Sequence, residues 1–224
     1  MLDPLHPPKA PKRRLIWAVS VFLALIGVII VLRRTFFLIP VLQDRYQPAP
    51  PPPGMPNFPE EGFVAHPLLT LIHILPGLLF VTLGLLQFVK RIRTKRLQFH
   101  RWNGRILLFL GLIIGISGIF MGFKMSISGV SETAAATLFG VLFLFSLAKA
   151  FWHIRNKNQV LHREWMIRAF AIGLAVTTTR PIVGVFFATG SFTGLGPQDF
   201  FGTALWLGFT LHLIAAEVWI NLTR

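Results

Sequence analysis

The chain has 224 residues, of which 54% are hydrophobic and 22 are Phe, with a mean hydropathy of +0.65 and a formal charge of +14. That balance belongs to membrane proteins and excludes an ordinary soluble domain. Cysteine is absent, which removes disulfides and thiolate-held metal or iron-sulfur centres and leaves His, carboxylate or Met to hold any metal.

Six apolar runs are long enough to cross a bilayer as helices, at 15–39, 64–89, 104–124, 132–153, 165–189 and 202–221. Inside lipid every backbone amide must be satisfied within its own segment, and no strand-like alternation is present. The expectation is therefore an all-α polytopic membrane bundle with six transmembrane helices.

Residues 1–46 form a basic tail and the first span. That run follows "KAPKRR", is longer than the apolar part of a signal peptide and precedes no small-residue cleavage site, so it reads as an uncleaved anchor. Residues 47–63, "QPAPPPPGMPNFPEEGF", read as an extended linker that sets the anchor apart from a five-helix core at 64–224. The linker is a spacer in its simplest role, and it or the first helix is also a candidate contact for a partner in a membrane complex.

Orientation follows from Lys and Arg. Residues 1–14 carry four, 90–105 carry seven, 149–168 carry five, and Arg224 lies on the same side. The opposite side has Arg33, Arg34, Arg45 and Lys124, offset by Asp44, Glu60, Glu61, Glu132 and Asp199. The positive-inside rule then puts both termini in the cytoplasm. Trp17, Trp102, Trp152, Trp165 and Trp219 fall near cytoplasmic span ends, and Trp206 near an outer one, as interfacial anchors do. The basic residues flank apolar runs instead of forming one patch with interleaved aromatics, so anionic lipid headgroups are the expected partner and nucleic acid is not.

Several short motifs recur in a fixed order: "HILPG" at 73–77, "GLLQF" at 84–88, "HRWNGR" at 100–105, "HREWMIR" at 162–168, and "TTTRP" ending at Pro181. Together they resemble a bacterial family of membrane proteins, the domain of unknown function 2306, over about 64–190. The resemblance implies a helical bundle in the bacterial inner membrane and supplies no activity. The sixth span, with His212, lies outside the matched motifs.

Polar groups within the spans are the candidate site. At about 1.5 Å per residue, His73, Arg180 and His212 lie roughly 13, 12 and 15 Å in from the outer ends of their helices. An unpaired Arg at depth costs on the order of 2.5–3.5 kcal/mol, and no acid within the spans lies at the level of Arg180. Pro76 and Pro181 free the carbonyls of Ile72 and Thr177, so freed carbonyls, the hydroxyls of Thr177–Thr179 or an anionic ligand are the expected partners of Arg180. At the other side His100 and His162 open the third and fifth helices, with Arg101, Arg105 and Arg168 alongside.

Two chemistries follow. Paired histidines, His100 with His162 and His73 with His212, have the disposition to ligate the iron of b-type haem for transmembrane electron transfer, with the nearby Arg on the propionates. Alternatively, Arg180 and His73 line an outer-half pocket for an anionic or quinone-like molecule. A non-catalytic accessory subunit is the third possibility. Gly104, Gly111 and Gly118, with Gly115 and Gly122 offset, predict close packing along one face of the third helix. No Ser or carboxylate nucleophile stands beside a base, which argues against hydrolysis.

Overall fold

The structure, a computed structural model, describes residues 10–48 and 58–224. Most of the Pro-rich linker, residues 49–57, lies outside the described residues. The elements are α1 (Ala10–Leu42), α2 (Glu61–Ala65), α3 (Pro67–Gln87), α4 (Lys90–Lys95), α5 (Leu97–Lys124), α6 (Val130–Arg155), α7 (Gln159–Thr193) and α8 (Pro197–Leu222). Among the described residues there is no strand, and six of these helices are long and apolar enough to cross a membrane.

The spans fall where hydropathy puts them, but their ends do not. α5 begins at Leu97 and α7 at Gln159, each about two turns before its apolar run, because the polar collars continue the helix outward. Asn158 starts α7, its side chain accepting the Leu161 N–H at 3.1 Å. Pro67 and Pro197 open α3 and α8 at first-turn positions where no amide donor is needed. Gly194, at φ 70°, closes α7 in the left-handed region that a side chain would resist. α3 and α7 run through Pro76 and Pro181 without interruption.

α3, α5, α6 and α7 form a ring, α8 lies in the groove between α6 and α7, and α1 lies against α3 and α7. The centre is filled by Phe80, Phe143, Leu107, Leu147 and Phe170. Large side chains enter where a facing residue is glycine: a Cβ on Gly84 would lie 2.5 Å from the Phe170 ring, and one on Gly173 would lie 2.8 Å from Phe80. Apolar surface gains little by leaving lipid for protein, so this interdigitation is what holds the helices together.

The glycines of α5 do not form one smooth face. Gly111, Gly115 and Gly122 take side chains of α6, whereas Gly118 meets the ring of His73 on α3. The first helix is docked on the core, with Ala24 and Leu38 buried and Gly27 pressed on Thr177 of α7, where an added Cβ would come within 2.9 Å of Cγ2. Its other flank, Phe22, Leu25, Ile29, Leu32 and Phe36, is exposed and suits lipid.

Candidate anion site and histidine collar

Thr177 and Arg180 stand three residues apart on α7, so they share the face that α1 covers. The Arg180 Nε is buried and has no hydrogen-bond partner among the described residues. Its guanidinium lies 5.8 Å from the Phe201 ring centroid and within electrostatic reach of Arg33, Arg34 and Glu132. Neither freed carbonyls nor threonine hydroxyls satisfy it, contrary to expectation. Thr177 and Thr179 donate instead to Leu174 and Ala175 carbonyls of their own helix, at 2.7 and 3.3 Å, and Thr178 bonds His212.

Arg34 supplies a second guanidinium, from α1. It lies 3.9 Å above the Phe63 ring, 4.9 Å from Phe37, and makes one contact of 3.4 Å with Glu60. Tyr46 reaches the other Glu60 oxygen at 3.5 Å. Burial and the Glu60 carboxylate push the Tyr46 hydroxyl above the ordinary phenol range, so it stays protonated and is the donor. The acid near Arg180 is Glu132, in the first turn of α6, which the count of acids within spans passed over. Its carboxylate accepts the backbone N–H groups of Ile127 and Ser128 at 2.5 and 2.9 Å and is largely committed there. The guanidinium groups of Arg34 and Arg180 and the carboxylates of Glu60 and Glu132 share this region, with the exposed Arg33 within electrostatic reach.

Aromatic rings close this region. Phe58 lies 6.2 Å from Phe187 and 6.0 Å from Phe201, and it also packs with the cluster of Leu38, Phe63 and Met125. The short segment before α3 therefore bridges α7 and α8 on one side and α1, α3 and α5 on the other.

His73 does not join Arg180 through any described contact. Its Nδ1 lies 3.0 Å from Ser117 Oγ on α5. The single hydroxyl proton of Ser117 is used on the Ile113 carbonyl at 2.6 Å, so Ser117 accepts from the ring and Nδ1 carries the His73 proton. His212 is held on α7, with Nε2 2.7 Å from Thr178 Oγ1. Thr178 and Arg180 point about 200° apart around their helix, so His212 lies on the other side of α7 from the arginine. His73 and His212 each face a hydroxyl on a different helix; neither is directed at the other.

At the basic end the His100 Nδ1 is buried without a partner, and His162 lies within electrostatic reach of it. The His162 Nδ1 is 2.9 Å from the Ala150 carbonyl, which can only accept, so Nε2 is left with its lone pair. His153 is buried nearby with its ring 4.8 Å from that of Trp152. Arg101 is exposed, and Arg105 lies 5.0 Å over the Trp102 ring. Arg168 is engaged by both Glu217 oxygens, at 2.5 and 2.9 Å, and by the Trp165 ring at 4.6 Å. Glu164, 2% exposed, is held by both ends of the Arg224 fork at 2.9 and 3.1 Å, and Arg163 bonds Thr223 at 2.5 Å. The hydrogen bonds to Glu164 hold the Arg224 guanidinium even more firmly protonated than usual. "HREWMIR" is thus largely the tie between the start of α7 and the end of α8. Among the described residues no three His, Asp or Glu are grouped to hold a metal ion.

Arg34, Glu60 and Glu132 are the members that sequence reasoning missed. One signal existed: Arg33 and Arg34 fall within the first apolar run, which continues after them as "TFFLIPVL" and so carries both on a helix.

A family model described as "Predicted membrane protein (DUF2306)" matches residues 70–220, more than half of the chain. The chain belongs to this family. The DUF2306 region takes in α8 and His212, which the short motifs left out, together with Arg180 and both collars. Arg34 and Glu60 precede it, so the candidate site joins a DUF2306 residue to groups contributed by the preceding segment. No curated protein and no solved structure matches the chain.

Proposed function

We propose that this membrane protein binds an anionic small molecule with an apolar body in the half of its bundle away from the basic end, as a receptor or carrier. The observation that carries the reading is the buried, unpartnered Nε of Arg180 beside a second guanidinium, Arg34. An acid group placed between them would satisfy the orphaned donor with a charge-assisted bond, and the surrounding Phe58, Phe63, Phe187 and Phe201 would take the body. His73, expected in this pocket, is set aside from it. In this reading the basic end faces the cytoplasm and its anionic headgroups, with both termini there.

Equilibrium binding of dodecanoate to the detergent-purified protein tests the reading, with Arg180→Gln as the variant. Loss of at least about tenfold in affinity, or about 1.4 kcal/mol, at unchanged helix content is the expected result. Equal binding by variant and parent would reject it.

A second reading is supported by the collar: the His162 Nε2 is free because Nδ1 is held by Ala150, and the His100 Nδ1 is buried and unused. This donor chemistry fits one b-type haem between these two residues, which would supply one-electron exchange. The expected second pair, His73 with His212, does not fit, since each ring is held by a hydroxyl on a different helix. Arg168, assigned to a propionate, is already engaged by Glu217, which leaves Arg101 and Arg105 for that role. Oxidised and dithionite-reduced spectra after expression with ample haem decide the matter: a Soret band lost in His162→Ala supports it, and no band in the parent protein sinks it.

A further inference from the structure

Glu60 occupies Arg34, one of the two guanidinium groups that a ligand's acid group would use. We infer that Glu60 is a resident counter-anion on Arg34, and that an incoming monoanion displaces it and thereby releases residues 58–65, the door of the Arg180 site. This rests on the binding reading above and adds to it how the site is opened.

Three ion pairs are present among the described residues, and the one at Glu60 is the loosest. Arg168 with Glu217 and Arg224 with Glu164 are two-pronged, at 2.5 and 2.9 Å and at 2.9 and 3.1 Å. Arg34 meets Glu60 through one nitrogen at 3.4 Å, and the Tyr46 hydroxyl adds a contact of 3.5 Å. A carboxylate or phosphodiester that engages a guanidinium through two oxygens therefore has the advantage over Glu60. Glu60 is not needed to build its own helix: it precedes α2 without making a side-chain cap, and α2 is only five residues long.

Apart from this ion pair the segment is held by apolar packing: Phe58 lies against Phe187 and Phe201, Phe63 packs with Leu38 and Met125, and Gly62 rests on Met125, where an added Cβ would lie 3.2 Å from the Met125 Cβ. A cavity of about 260 Å³ is lined by this segment and by residues 124–127, with Glu61, Phe63, Met125 and the exposed Lys124 in its wall, which leaves space for displacement beside a cation. Once Glu60 leaves Arg34, the ligand supplies the charge that Glu60 had supplied, and Phe63 loses the guanidinium bound to its upper face.

The absence of cysteine makes the test direct. In Met125→Cys, maleimide labelling reports whether the segment covers that residue, which is 7% exposed in the parent. The expected results are faster labelling when Glu60→Gln is added without ligand, faster labelling of the parent background with dodecanoate, and dodecanoate affinity raised about two- to fivefold by Glu60→Gln, the worth of a partly exposed ion pair. Labelling unaffected by Glu60→Gln, or weaker dodecanoate binding in that variant, would overturn the inference. The two readings fail separately: unchanged binding in Arg180→Gln removes the binding site while faster labelling in Glu60→Gln leaves the door intact. Repeating the labelling in nanodiscs of phosphatidylglycerol and of phosphatidylcholine identifies the source of the acid group. Faster labelling in the anionic discs assigns it to lipid phosphodiester, and equal rates with a response to dodecanoate assign it to a free carboxylate.

Discussion

Buried charged residues among those described divide into ones whose needs are met, such as Glu164, and Arg180, whose Nε has no partner. Glu164 is inside the protein and its partner Arg224 is mostly outside, so the two halves of the pair are not equivalent. Replacing Arg224 by Gln strands a buried carboxylate, whereas replacing Glu164 by Gln leaves a cation in solvent. Arg224→Gln should therefore lower the melting temperature in detergent more than Glu164→Gln does, and the double variant should melt above Arg224→Gln alone. Thermal unfolding followed by circular dichroism reads the order; the reverse ranking would mean that Glu164 is satisfied by Arg163 or Arg168. Arg180 was legible in the sequence as the residue hardest to place in lipid. Its surroundings were not, because Arg34 reaches it only through packing of α1 on α7, a contact between residues almost 150 positions apart in the numbering.

For the helices, hydropathy located all six spans, since about 20 apolar residues are what a bilayer requires. It missed their ends, because the turns that carry His100 and His162 are polar, and helix continues into the headgroup region wherever capping permits. The small residues of α5 were legible as a packing device, but which neighbour each one admits depends on rotation about the helix, and "Gly every seventh residue" does not say. Gly173 is the sharpest case, being filled by Phe80 at the centre of the ring. Gly173→Val should destabilise the bundle by about 1–3 kcal/mol, the usual cost of overpacking a filled core. Reversible unfolding in mixed micelles measures it, and a neutral result would mean that the Phe80 ring turns aside freely. Pro76 and Pro181, by contrast, promised free carbonyls for Arg180, and the structure makes no such use of them.

Among the described residues the charges separate by face: α4 and the basic ends of α5, α6 and α7 gather on one side, and Glu60, Glu61, Glu132 and Asp199 on the other. Single cysteines at Lys157 and Leu195, residues of the two opposite loops, should therefore label from opposite sides of a sealed cell, with Leu195→Cys reacting first with an impermeant maleimide. Labelling of Lys157→Cys from outside would invert the orientation. The all-helical class was fully legible, because composition alone forbids the alternatives. The packing of α1 on α3 and α7 was not legible, because it joins segments far apart in the chain.

The lengths of α7 and α1 have a separate consequence. At 35 and 33 residues they extend about 52 and 50 Å, well beyond the ~30 Å of hydrocarbon, and a tilt of about 40° still leaves α7 spanning roughly 40 Å. The surplus must emerge from the bilayer, with Phe192 at 91% exposure near its tip. Arg34 and Arg180 ride on these same two helices, so acyl-chain length sets how far the pair sits below the headgroups. Short-chain lipids lift both arginines toward water, where an acid group arrives at little cost in dehydration; long-chain lipids submerge them. Through hydrophobic mismatch, the thickness of the host membrane would become a term in the affinity of the proposed site.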